Sequence, residues 1–289
     1  MSDVKHEGVV LADVVSALDT MYPPASAAAW DRVGLVSGDP DQPVRRIHFA
    51  VDPTQAVIEE ARDAGADLLV THHPLLLRGV SSVATTGAKG RAVTTLIVAD
   101  VALYCAHTNA DVARPGVNDA LAAAAGLGDD SRPLSQEDGQ PIGRVGELAE
   151  PMTLRAFAMR LAAALPSTPV GLRVAGDPAG TVRRVAVMGG AGDDRFDDVR
   201  AAGADVYVTA DLRHHPALEA REEAAGGTPY LIDAGHFATE SLWLDLAAQR
   251  VVEAFGERGA SVDTYISTLR TDPWDFLVGQ HPDMESEPS

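Results

Sequence analysis

Only one cysteine, Cys105, occurs in the 289 residues. No intrachain disulfide can form, and a reducing, cytoplasmic setting is expected. Basic residues are few: 23 Lys and Arg stand against 42 Asp and Glu, a formal net charge of −19. Nucleic acids and anionic bilayers are gripped by basic patches, so both are disfavoured as partners. A single phosphate can still be held locally, which leaves a nucleotide open as a small-molecule substrate. Long apolar runs are missing too. The most apolar region, about 92 to 106, contains Asp100 and is too short to span a bilayer. The opening MSDVKHEG lacks the basic-then-apolar plan of a secretory signal. Aromatics make up only 5% of the chain, so alanine, valine and leucine must carry burial. At 46% hydrophobic the chain still has ample material for a core, and its length suits one large or two ordinary domains.

What is present alternates between strand and helix. VLADVVSALDTMYP has apolar residues at helical spacing and ends at Pro23 and Pro24. RRIHFAVD (45–52) reads as a strand, PTQAVIEEARDAGA (53–66) as a helix stopped by Gly65, and ADLLVT (66–71) as the next strand. This β-α-β order favours a parallel sheet. The segment 183–209, RRVAVMGGAGDDRFDDVRAAGADVYVT, aligns without a gap on 45–71 at an offset of 138 residues. Such a match suggests an internal duplication and an α/β fold of two similar lobes. An N-terminal lobe is expected over 1–128 and a C-terminal lobe over 144–289. The stretch between them, rich in Gly, Pro, Ser and acids, reads as a linker or surface loop. In NDALAAAAG, Asn118 is the expected N-cap and Gly126 the stop. The tail from Gly279 is polar and is expected to fray.

The chemistry-bearing residues gather at strand ends. In an open α/β sheet the carboxyl ends of strands face the ligand crevice. VTHHPLLL places His72 and His73 at such an end, and Pro74 keeps His73 extended. Alone, the pair is as readily structural as ligating. LYCAHTNAD adds His107 and Asp111, and YLIDAGHFATE adds His236 and Glu240, each histidine four residues before a carboxylate and after a strand. A helix starting near Ala238 would turn His236 and Glu240 to one point, with a carboxylate in its favourable first turn. Imidazole plus carboxylate suits Zn, Mn, Fe or Ni better than a thiolate-selected metal. Two ions sharing such ligands would sit roughly 3.5–4 Å apart and generate hydroxide from water near neutral pH. Five shared protein ligands also leave coordination positions open, as catalytic sites do. His214 and His215 resemble an echo of the HHP motif, but the repeat register sets Ala210 and Asp211 opposite His72 and His73. A helix-start or pocket-rim role is expected for them. His6, His48 and His281 have no supporting context. Cys105 reads as a buried structural thiol, and the MGGAG glycines (188–192) as a tight turn rather than a phosphate cradle.

In order along the chain, WDRVGL, THHPLLL, AHTNAD, PGVNDALA, PIGRVGEL, AVMGGAG, DVYVTADLRHH and DAGHFATE resemble the NIF3 family, also called the GTP cyclohydrolase 1 type 2 homologue or dinuclear-metal-centre family. The resemblance implies an interlocked NIF3-like fold and two divalent metal ions per subunit, of Zn, Mn, Fe, Ni or Mg. It places the metal ligands on His72, His73, Asp111, His236 and Glu240, with Glu240 bridging, and sets His107 beside the metals, either supporting their ligands or transferring protons. His107 and Glu240 are then the catalytic candidates. It further implies a ring-shaped homohexamer, and a hydrolase that opens the GTP ring by metal-bound hydroxide. The alternative is a non-catalytic metal-binding scaffold or regulator acting through protein partners. Two positions depart from the family pattern: Arg32 where WDN is common, and Ala210 where a TGD or TGE turn is common. Neither is expected to touch a proposed ligand. An extra domain found between the lobes in some relatives does not fit within 126–143.

Overall fold

The computed structural model describes residues 8–278. His6, His281 and the tail from Gly279 lie outside the described residues. Helix α1 (Leu11–Met21) stops where Pro23 and Pro24 remove the next amide donors. Strands β1 (Gly34–Ser37) and β2 (Arg46–Ala50) follow, then helix α2 (Gln55–Asp63), strand β3 (Leu68–Thr71), helix α3 (Ala88–Val98) and strand β4 (Ala102–Cys105). β2, β3 and β4 pair in parallel, and β1 closes one edge antiparallel to β4. All four residues of β3 and of β4 are buried. That is the pattern of a parallel sheet covered on both faces. On one face Ile47, Phe49, Leu68 and Val70 pack with Leu11, Val14 and Leu18 of α1. On the other, Ala50 and Leu69 pack with Val57 and Ile58 of α2 and Leu96 of α3.

The chain then forms α4 (Thr108–Val112) and α5 (Val117–Ala124), the hairpin β5 (Ser135–Glu137) and β6 (Gln140–Ile142), strand β7 (Arg144–Thr153), helix α6 (Leu154–Ala164), and strands β8 (Arg173–Ala175) and β9 (Thr181–Ala191). Helix α7 (Phe196–Ala201), β10 (Val206–Ala210), α8 (His214–Glu223), β11 (Tyr230–Asp233), α9 (His236–Ser241), α10 (Trp243–Gly256) and β12 (Asp263–Ile266) complete it. The second sheet has the order β7-β9-β10-β11-β8, with its three central strands parallel. The first sheet has the order β1-β4-β3-β2-β12. Thus β12, from the far end of the chain, pairs in parallel with β2, and α10 buries Trp243, Val251 and Phe255 in the same core as α1. The two lobes are interlocked by this return. The stretch 126–143 is itself folded: Leu134 and Ile142 are buried in the second lobe's core.

The aligned segments 45–71 and 183–209 fold alike. The Asp67 carboxylate accepts from the amides of Arg45 and Arg46, and the Asp205 carboxylate accepts from those of Arg183 and Arg184. Gly65 and Gly203 both take positive φ, 66° and 63°, after their helices, a conformation that glycine adopts without steric cost. Among the described residues, no helix is long and apolar enough to cross a membrane.

Two local expectations are corrected. Asn118 does not cap α5; Gly116 is the cap residue, and the Asp119 carboxylate accepts from the Gly116 amide at 2.9 Å. Asn118 is instead buried, donating to the Asp111 carbonyl and accepting from the Gly189 amide. The MGGAG stretch is not a turn either, since β9 runs through it to Ala191.

Arg144, 1% exposed, fastens β7 to α5 through two bonds to the Asp119 carboxylate, 2.6 and 2.7 Å. Removing one partner of a buried ion pair strands the other charge. Arg144→Leu is therefore expected to lower unfolding free energy by roughly 3–5 kcal/mol, read from denaturant midpoints.

Candidate metal centre

The ends of β3 and β4 and the start of α9 deliver their polar side chains to one place. His72 and His73 leave β3, with ring centroids 5.0 Å apart. His107, between β4 and α4, lies 5.2 Å from His72 and 5.4 Å from His73. His236 lies 5.2 Å from His73. Helix α9 begins at His236 rather than near Ala238. Gly235, at φ 80°, turns the chain directly after β11. His236 and Glu240 are then four apart on one helical face, with Nε2 to Oε1 3.0 Å. The expected first-turn carboxylate is absent, because Glu240 is the fifth residue of the helix. Its stabilisation comes from imidazoles, not from the helix dipole.

Each histidine is held from behind through Nδ1. His72 donates to the Ala106 carbonyl at 2.9 Å. His73 faces Asp52 at 2.7 Å, His107 faces Asp31 at 3.0 Å and His236 faces Asp211 at 2.8 Å. These partners only accept, so each Nδ1 carries the proton and Nε2 is left as the free position. Such backing by carboxylate or carbonyl is how proteins orient metal-ligating histidines. Glu240, 3% exposed, stands between the rings. Its Oε1 is 3.4 Å from His72 Nε2 and 3.0 Å from His236 Nε2, and its Oε2 is 3.1 Å from His73 Nε2. Asp111 Oδ1 lies 3.7 Å from His72 Nε2.

Whether a cation fits can be judged from the buried atoms. His72 Nε2 and Asp111 Oδ1 are both buried without a hydrogen-bond partner. An imidazole lone pair facing two carboxylates is costly unless a proton or a metal ion lies between them. Two groups have ligand atoms within 4.8 Å of one another: His72, His73 and His107, and His73, His236 and Glu240. The donors therefore fit one or more divalent cations. His107 belongs to the first group geometrically, although the family resemblance sets it beside the metals.

Charge balance in the metal-free cluster points the same way. Burial pushes Glu240 up, but the three imidazoles outweigh it and hold the carboxyl well below its usual range. Burial pushes His73 down, yet Asp52 and Glu240 raise it to about 10; the same opposition, with Asp211 and Glu240, raises His236 to about 11. Burial, aided by the Glu240 charge, pushes Asp111 up. These carboxylates favour the protonated imidazoles, and a divalent cation would take the place of those protons.

The glycines of β9 make room for the site. A side chain at Gly190 would put its Cβ 2.5 Å from Glu240 Oε1, and the residue's φ of 68° disfavours one in any case. The roles of Gly190, Asp31, Asp52 and Asp211 are not legible in the sequence. The GG pair and the aspartates were visible, but nothing local marks an aspartate as the partner of a histidine tens of residues away. The two departures from the family pattern lie closer to the site than expected. The Arg32 amide donates to Asp31 Oδ1 at 2.7 Å, and Ala210 precedes Asp211. His214 and His215, at the start of α8, are exposed and stand outside the cluster. His48 is fully buried, paired with Glu60 at 2.9 Å and stacked on Tyr265. Cys105 is buried, donates to the His72 carbonyl and is pushed up by burial, as a structural thiol should be.

Fold and site together define an α/β protein with a buried histidine–carboxylate cluster able to hold metal. The chain belongs to the Duf34/NIF3 (NGG1p interacting factor 3) family, whose model matches residues 9–273. A Streptomyces coelicolor protein named GTP cyclohydrolase 1 type 2 homolog is 51% identical, over 94% of this chain and 96% of that one. The Mycobacterium tuberculosis protein of the same name is 36% identical over 376 aligned positions, covering 93% and 97%. That alignment is longer than this chain, so the mycobacterial protein carries sequence that is missing here. Among solved structures, a Staphylococcus aureus protein matches with a TM-score of 0.85 at 29% identity, covering 94% and 100%. A Bacillus cereus protein related to NIF3 matches at 0.84 and 26%, covering 93% and 99%.

Two outcomes follow for metal binding. Asp52→Asn and Asp211→Asn, which keep shape but weaken the hold on His73 and His236, are expected to lower metal affinity about 10–100-fold in competition with a chelator. Wild-type affinity in both would contradict the assigned roles. Loading at about pH 7 should release protons from the cluster, those of His73 and His236 among them, since only neutral imidazole ligates. Calorimetry in buffers of different ionisation enthalpy reads the number released, and zero would contradict the charge balance above.

Proposed function

We propose that the chain is a dinuclear metal-dependent hydrolase. The observation that carries this reading is the convergence of His72, His73, His236, Asp111 and Glu240 with His72 Nε2 and Asp111 Oδ1 unpartnered. Glu240 offers its two oxygens to different histidines, as a bridging carboxylate must. Its Oε1 lies against His72 and His236 and its Oε2 against His73, with Asp111 beside His72, so these five residues would hold two divalent ions. Bound there, the ions would supply Lewis acidity and a water activated near neutral pH.

The remaining groups serve proton transfer and substrate placement. His107 has its Nδ1 tied to Asp31. The Asp31 carboxyl is held well below its usual range because hydrogen bonds from His107 and Thr108 outweigh its burial. An ionised Asp31 fixes the ring and stabilises it when protonated. The other ring nitrogen of His107 is then placed to accept a proton from the attacking water and return it to the leaving group. Trp30, 55% exposed, stands edge-on to His107 at 5.9 Å and offers an apolar wall at the mouth of the site.

Hydrolytic opening of the GTP ring is the sharpest form of the proposal, supported by the printed names of the Streptomyces and mycobacterial relatives. A ring-shaped homohexamer belongs to the same reading. Exposed Ile97 and Val98 on α3, and Trp274, Phe276 and Leu277 near the chain end, are the kind of apolar surface that subunit contacts cover. The competing reading is a non-catalytic metal-binding scaffold, favoured only by the interacting-factor name of the family.

Metal-loaded protein incubated with GTP, phosphoesters and cyclic amides, with products followed by mass, separates the two. Turnover of at least one compound is expected, falling by about 10²–10⁴-fold in His107→Gln while bound metal per chain is unchanged. No turnover across the panel by fully loaded protein would favour the scaffold.

A further inference from the structure

Beside the cluster lies a cavity of about 320 Å³ that the hydrolytic reading does not use. His73 and Asp52 form the wall it shares with the site, and Lys89 and Arg91 line it as well. Lys89 has no ion-pair or hydrogen-bond partner among the described residues. Arg91 donates from Nε to the Thr85 carbonyl at 3.3 Å and meets no carboxylate. In a chain with 42 acids and 23 bases, a basic side chain easily finds an acid. Two neighbouring cations left without one, on a concave surface, constitute a local reversal of charge.

The one carboxylate on the cavity wall is already engaged. Asp52 Oδ1 is bound to His73 Nδ1 at 2.7 Å, and its Oδ2 accepts from the Thr271 hydroxyl. Helices α2 and α3 both begin at the cavity, and neither has an acid in its first turn. Their positive ends therefore add to the cationic side chains instead of being offset. The overall charge of −19 repels anions at long range, so an anion must be captured by a local arrangement of this kind.

We propose that this cavity is a phosphate subsite. It takes the phosphate of a phosphorylated small molecule, with Lys89 and Arg91 as its counter-charges, and directs the rest of that molecule across His73 towards the histidine–carboxylate cluster. The substrate class of that cluster is then phosphorylated metabolites, nucleotides among them. This part of the inference rests on the hydrolytic reading; the capture of phosphate does not. Lysine acts as a point charge and arginine as a planar fork, and phosphate suits both.

Inorganic phosphate is the probe, titrated by calorimetry into full-length protein both metal-free and metal-loaded. Metal-free wild type is expected to bind it. The double variant Lys89→Gln/Arg91→Gln is expected to bind at least about tenfold more weakly, with bound metal per chain and melting temperature unchanged. The charge-preserving swap Lys89→Arg/Arg91→Lys should retain binding. Absence of binding by metal-free wild type, or wild-type affinity in the double variant, would overturn the subsite. Phosphate binding that depends on Lys89 and Arg91 in a protein that takes up no metal would support the subsite while removing the hydrolytic reading.

Discussion

Glu240 is the constraint on which the rest of the site depends. A carboxylate that is 3% exposed must be compensated, because burial strongly disfavours an isolated charge. Three imidazoles supply that compensation at 3.0–3.4 Å, and each is held in place by an acceptor on its far side. The result is a set of polar atoms that face one another with too few protons to go round. A divalent cation would resolve that conflict, and protonation of the imidazoles is the other way to relieve it.

The fold exists to hold these groups in register. β3 and β4 are covered on both faces, so their carboxyl ends emerge at fixed positions with His72, His73 and His107 on them. Glu240 and His236 come from the other lobe, on α9, directly after β11. The return of α10 and β12 to the first lobe locks the two contributions together. Trp243 shows the coupling in one residue. It is fully buried, donates to the Tyr22 hydroxyl at 3.1 Å and lies 5.5 Å from the His72 ring. Asn118 does the same with backbone groups, joining the Asp111 carbonyl to the Gly189 amide.

Much of this was legible in the residues. The β-α-β order and the placement of His72, His73 and His107 just beyond strand ends follow from apolar periodicity and motif order, whereas Asp111, His236 and Glu240 sit on the helices that come after. What was not legible is non-local. The pairing of Asp52 with His73 and of Asp211 with His236 spans 21 and 25 residues, and no periodicity encodes it. Helix α9 starts at His236, two residues earlier than its apolar spacing suggests, because Gly235 at φ 80° turns the chain there. Gly190 looks like a turn residue in the sequence because a glycine's use, here closeness to a carboxylate, depends on a neighbour 50 positions on. The return of β12 to the first sheet could not be seen either, since a short strand carries no sign of the partner it will choose.

Crystals grown metal-free and soaked with manganese or zinc, with anomalous scattering collected at the metal's absorption edge, address the central claim most directly. The account predicts anomalous peaks within bonding distance of His72, His73, His236 and Glu240, with Glu240 touching more than one. Metal bound elsewhere on the protein, with this cluster left bare, would contradict it.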